Sequence, residues 1–107
     1  MKVKFKTGES IIVQFEHFQG EKIRETYCHI SEWDDLNKEK NLISEGRSKC
    51  NKLDSFNKNF ARKLSLRRAL ENTHYTKEER KQIWFIYNNE VSSKYKWKWQ
   101  EESEVAM

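Results

Sequence analysis

The residues of this chain best suited to chemistry are its cations. Between Glu45 and Leu70 stand eight basic side chains, Arg47, Lys49, Lys52, Lys58, Arg62, Lys63, Arg67 and Arg68, against two acids, Glu45 and Asp54. That stretch carries +6 while the whole chain carries only +4. Positive charge is therefore concentrated in one region, as a surface that meets an anionic partner requires. Lys58 and Arg62 are four apart, as are Lys63 and Arg67, so on a helix they form adjacent rows opposite Phe56, Phe60 and Leu64. Arg47 and Lys49, just upstream, would extend the rows into a patch. Arg47, Lys49, Lys58, Arg62, Lys63 and Arg67 are thus the candidate binding residues. A solvated helix back accounts for the same charges equally well. The planar fork of arginine suits phosphate and carboxylate alike, so the patch alone does not choose between DNA, RNA and an acidic protein.

Other groupings are weaker. Tyr95, Trp97 and Trp99 alternate with Lys94, Lys96 and Lys98, an arrangement in which rings stack on bases and cations meet phosphates. The same alternation describes an edge strand with buried rings and snorkelling lysines, which is the better account. Cys28 and Cys50 are the only cysteines and read as reduced, mostly buried thiols. No C-x-x-C or H-x-x-x-H spacing gathers metal ligands. His17, His29 and His74 are scattered, Asp34-Asp35 reads as a solvated turn, and Gly8, Gly20 and Gly46 are isolated, so no phosphate-cradling loop is present. The expectation is a binding protein without catalytic residues, metal or cofactor.

A chain of 107 residues fits one domain that buries roughly 65% of its unfolded surface. Only 36% of the residues are apolar, but four Trp, four Tyr and six Phe supply large areas for a compact core. No apolar run approaches the roughly eighteen residues of a membrane span, and Met1-Lys-Val-Lys-Phe-Lys reads as a strand and not a signal peptide. A cytoplasmic location is expected.

The elements that must position these residues are legible from their periods. Lys2 to Lys6 alternates, with Val3 and Phe5 on one face. Thr7 to Ser10 makes a turn, Ile11 to Phe15 a second strand, and Gln19-Gly20-Glu21 the next turn. A third strand spans Lys22 to Ile30, with Arg24, Thr26, Cys28 and Ile30 on one side. Such short connections favour an antiparallel meander. Glu32 to Lys40 is a loop or a single helical turn, and Leu42 to Cys50 a fourth strand with Gly46 as a bulge or turn point. Asp54 is the expected N-cap of a first helix whose stripe is Phe56, Phe60 and Leu64, widened by Ala61, Leu66, Ala69 and Leu70. Thr76-x-x-Glu79 has the spacing of a capping box and should open a second helix, with Ile83, Trp84, Tyr87 and Val91 inward. The helix pair also has the spacing of a helix-turn-helix, though three preceding strands are not its usual setting.

The expected architecture is α+β: an antiparallel meander of three or four strands, then two helices packed on one face. Residues 1–100 form the single domain, and the acidic end, 101–107, is expected to be disordered. The core should comprise Val3, Phe5, Val13, Phe15, Phe56, Phe60, Leu64, Ile83, Trp84 and Tyr87.

The run Gly46-Arg-Ser-x-Cys50, Asp54-x-Phe56, Arg62-Lys-x-x-Leu66-x-Arg68-Ala-Leu70 and Glu79-Arg80-x-x-Ile83-Trp84 resembles small accessory proteins of bacteriophages and prophages. The resemblance covers residues 46–87. This chain departs from the pattern at Ala61, where a glycine usually precedes the arginine, and it carries a longer aromatic tail. The resemblance implies stoichiometric binding to a host protein or nucleoprotein complex, including defence systems such as CRISPR nucleases. The expected function is inhibition or modulation of such a complex; the alternative is direct binding of DNA or RNA through the basic helix face.

Overall fold

The computed structural model describes residues 1–21, 23–51 and 57–92. Four strands, β1 (Lys2–Lys4), β2 (Ser10–Gln19), β3 (Ile23–Asp34) and β4 (Glu39–Asn51), form one antiparallel sheet in the order β1-β2-β3-β4. Helices α1 (Lys58–Glu71) and α2 (Lys77–Ile86) follow, and α2 runs on into a π-helical segment, Tyr87–Ser92. Both helices pack on one face of the sheet, so the expected α+β meander is the observed fold.

The turns explain the order. Gly8 takes a φ of 91°, open to glycine at no cost, and lets its amide reach the Phe5 carbonyl at 3.0 Å. The Gly20 amide closes the next hairpin on the Ile23 carbonyl at 3.0 Å. Between β3 and β4 the Asp34 carboxylate accepts the Leu36 and Asn37 amides and the Asn37 side chain. Those bonds from Asn37 hold the Asp34 carboxyl below its ordinary range. This third hairpin is tighter than a free loop over Glu32 to Lys40 would be. Both strands therefore run longer than their alternation suggested.

Alternation then sorts the side chains. Val3, Ile11, Val13, Cys28 and Ile30 face the helices and join Phe5, Leu66, Ala69, Leu70, Ile83 and Tyr87 in one buried cluster. Each large aliphatic group so buried contributes roughly 1.5–3 kcal/mol. α2 covers the β1 side, where the Gln82 side chain donates to the Lys4 carbonyl at 2.7 Å. Tyr87 meets Phe15 and Trp84 edge-on, each at 5.8 Å between ring centres. The capping box at Thr76 and Glu79 is formed in both directions.

α1 departs from expectation in two ways. Its N-cap is Asn57, whose side chain accepts the Phe60 amide at 3.1 Å; Asp54 and Phe56 lie outside the described residues. Its buried residues are Ala61, Arg62, Ser65, Leu66, Ala69 and Leu70, whereas Phe60 is 65% exposed and Leu64 half-buried. The inward arc is thus turned by about one residue, roughly 100°, from the Phe60–Leu64 stripe. The reason lies in the strand beneath. Gly46 is not a bulge; it pairs in register with Cys28, and the extra residue is Ile43. A Cβ on Gly46 would come closer than 3.0 Å to the Ser65 carbonyl oxygen and the Ala69 amide nitrogen, both backbone atoms. Helix and strand backbones touch there, so only Ala61, Ser65 and Ala69 fit the seam. Flanking Gly46, Ser44 Oγ donates to the Ala69 carbonyl at 2.5 Å and Ser48 Oγ to the Ala61 carbonyl at 3.0 Å. The expected inward residue Val91, like the tail from Lys94 to Trp99 and the acidic end, lies outside what is described of side chains.

Gly46→Ala should cost about 3 kcal/mol or more in urea denaturation, as overpacking against rigid backbone does. Ser44→Ala, which removes one donor, should cost only about 1 kcal/mol. Equal and small losses in the two variants would contradict the close seam.

Candidate binding face

The six candidate cations do not form one patch. Arg47 and Lys49 stand at alternate positions of β4 to Ser44, Gly46 and Ser48, so they project from the sheet face opposite α1. Lys63 and Arg67 occupy the outer side of α1, where Arg67 lies 3.8 Å from Glu71. They share that side with the exposed ring of Phe60. Arg62 is only 4% exposed and is not part of any outer row. The correction has a simple cause: α1 presses so close to β4 that the residue after Ala61 is carried into the boundary, and a long cation fits there only with polar partners.

Arg62 finds one in His17. Its Nη1 lies 3.0 Å from His17 Nε2, and His17 Nδ1 lies 2.8 Å from Thr26 Oγ1. A guanidinium has no acceptor, so Nε2 accepts and Nδ1 carries the imidazole proton toward Thr26. That assigns His17 as neutral. Partial burial, then the charges of Arg62 and Lys58, lower its pKa from the ordinary 6.5. Lys58 and Arg62 also line a cavity of about 380 Å³ with Val13, Gln14, Phe15 and His17.

A second cavity, of about 370 Å³, lies at the start of α2 and gathers Glu9, Glu32 and Glu79 beside Tyr75. A hydrogen bond between Glu9 and Glu32, then burial and the nearby carboxylates, raises the pKa of Glu9. Burial and the same three acids raise that of Tyr75.

The most organised surface is the sheet face turned away from the helices. Register places Gln14, His29 and Glu45 in one cross-strand row, Glu16, Tyr27 and Arg47 in the next, and Phe18, Glu25 and Lys49 in the third. Tyr27 is the centre of this grid. Its hydroxyl donates to Glu25 at 2.7 Å, Phe18 meets its ring edge-on at 5.4 Å, and His29 stacks on it at 6.2 Å. The Tyr27 hydroxyl, then the charges of Glu25 and Glu45, raise the Arg47 pKa further, so that guanidinium is permanently charged. Glu25 lies 3.9 Å from Lys49 and Glu45 lies 3.4 Å from His29. Lys2 over the Trp33 ring and Lys40 on Gln14 continue the polar surface. Sequence reasoning saw only half of this. Putting Arg24, Thr26, Cys28 and Ile30 on one side already groups Glu25, Tyr27 and His29 on the other, but which side faces solvent, and the neighbours supplied by β2 and β4, need the register.

Among the described residues no group of three or more His, Cys, Asp or Glu is placed to hold a metal ion. Burial raises the Cys28 thiol to about 12, far from a reactive thiolate. Cys28 is buried and Cys50 half-buried. No described helix is long and apolar enough to cross a membrane. Compared with protein-family models, curated proteins and solved structures, the chain shows no significant match.

The His17 arrangement sets a direction for pH dependence. Its folded pKa is lowered, so the unfolded chain takes up this proton first, and the stabilisation present above pH 6.5 is lost as pH falls through the folded value. NMR titration should give a His17 midpoint below 6.5, and His17→Gln should flatten the loss of stability on acidification. A midpoint at or above that value would contradict the assigned tautomer.

Proposed function

We propose that this chain is a non-enzymatic accessory binding protein of phage type that inhibits or modulates a host nucleic-acid-handling or defence complex in the cytoplasm. The observation that carries this reading is the open sheet face centred on Tyr27. It joins an aromatic centre to charges of both signs, the composition of a protein–protein contact with a desolvated middle and a polar rim. Glu16, Glu25 and Glu45 on that face oppose a phosphate backbone, which favours a protein partner over a nucleic acid for this surface. Arg47 and Lys49 remain contact residues in this account, at the β4 edge. The motifs over residues 46–87 that resemble phage accessory proteins support the choice of a host complex.

Phe18 is 52% exposed, so Phe18→Ser removes contact area without opening the core. Tagged protein should retain subunits of a nucleic-acid-handling complex from host lysate, and Phe18→Ser should reduce that capture by roughly tenfold or more, as loss of an interface anchor does. Recovery of no such subunit, or equal capture by both proteins, would count against the proposal.

A second reading, direct nucleic-acid binding, is favoured by one observation: the exposed Phe60 ring shares the outer side of α1 with Lys63 and Arg67. With Lys58 added, three cations could meet phosphates, so log K against log salt should slope at roughly −2 to −3. Lys63→Ala with Arg67→Ala should flatten it, measured by anisotropy of a labelled oligonucleotide. Absence of binding at low salt would end this reading.

A further inference from the structure

The open face contains a hollow of about 410 Å³ lined by two kinds of side chain. Phe18, Tyr27 and His29 supply the rings, and Glu16, Glu25 and Glu45 supply three carboxylates. Among the described residues no lysine or arginine lines it, although Arg47 stands next to Tyr27 in the adjoining position of β4. Two of the carboxylates are engaged: Glu25 by the Tyr27 hydroxyl and Lys49, Glu45 by His29. Glu16 makes no hydrogen bond or ion pair among the described residues. It stands two positions from Phe18 on β2, facing the same way, with Tyr27 directly across on β3.

We propose that this hollow receives an arginine side chain of the partner protein, an inference that rests on the open face being the contact surface. Aromatic faces attract cations through their quadrupole. A guanidinium is weakly hydrated, stacks on rings and forks onto a carboxylate, and so suits this combination better than an ammonium. The Glu16 carboxylate accepts the fork, and the methylene stem lies along Phe18 and Tyr27. An anionic ligand is opposed by all three acids. The chemistry also suggests how such a protein inhibits. Proteins that handle nucleic acids hold phosphates chiefly with arginine and lysine. A carboxylate-lined hollow that engages one of those arginines competes with the nucleic acid for it. Arg47 and Lys49 flank the hollow on β4 and offset two of its three carboxylates, so one acid is left in excess for the incoming guanidinium; the remaining basic character of the chain lies on α1.

The test uses the full chain labelled with ¹⁵N and titrated with the capped peptide Arg-Gly-Arg, its citrulline counterpart, and a thymidine oligonucleotide. Saturable shifts at Glu16, Phe18, Tyr27 and His29 are expected with the arginine peptide alone. Glu16→Gln and Phe18→Ser should each weaken that binding by roughly threefold, whereas Glu71→Gln on α1 should leave it unchanged. Equal binding of the citrulline peptide, shifts centred on another surface, or oligonucleotide shifts in the hollow would overturn the inference. So would the absence of a saturable response. If lysate capture depends on Phe18 but is indifferent to Glu16→Gln, and the arginine peptide does not bind, the arginine inference fails while the contact face stands. If capture is indifferent to Phe18→Ser, the contact face itself fails.

Discussion

Two backbones meet where α1 crosses β4, and the rest of the molecule is arranged by that contact. Gly46 lacks the Cβ that would strike the Ser65 carbonyl and the Ala69 amide. Ser44 and Ser48, two positions to either side, donate to the carbonyls of Ala69 and Ala61, which lie roughly two helical turns apart. These hydrogen bonds tie the helix to the strand at both ends of the seam, and each satisfies a buried hydroxyl. With α1 fixed so close, the helix can bury only small residues at the seam itself. Leu66 and Leu70 reach past it into the common core. The same closeness turns Phe60 outward and carries Arg62 inward to His17.

The consequence for function is a division of the surface. Among the described residues both helices cover one sheet face, and the other is composed by strand register. There the cross-strand rows bring Phe18, Tyr27 and His29 together and surround them with charge. Exposed rings are costly to leave in water unless a partner covers them, and an antiparallel sheet can carry a polar second face without them. Glu25 and Glu45 on this face are already oriented by Tyr27, by Lys49 and by His29, which leaves Glu16 as the carboxylate whose side-chain freedom is lost on binding.

How much of this was legible in the sequence depends on the range of the interaction. The strand order, the hairpins and the Thr76 capping box rest on neighbours in sequence, and the alternation of β3 put Thr26, Cys28 and Ile30 on one side, which the structure buries. The inward face of α1 was misread because apolarity pointed to Phe60 and Leu64, while the deciding constraint is a glycine on a strand more than a dozen residues away. Gly46 itself carried the signal. A glycine flanked at both second neighbours by serine marks a close backbone approach as readily as a bulge. The candidate cations were correctly found as a basic segment in sequence, but a strand and a helix packed on it send alternate residues to opposite sides. Arg47 and Lys49 therefore part from Lys63 and Arg67. The hollow around Tyr27 had no linear motif, since its six residues come from three strands.

The central claim is that the partner sits on the open face and not on the helices. Carboxyl footprinting of the captured complex measures this most directly, with carbodiimide and glycine ethyl ester labelling acids by their accessibility. The account predicts that Glu16 and Glu45 are shielded in the complex while Glu71 and Glu78 on the helices label as in the free protein. Shielding of Glu71 and Glu78, with Glu16 and Glu45 unchanged, would contradict it.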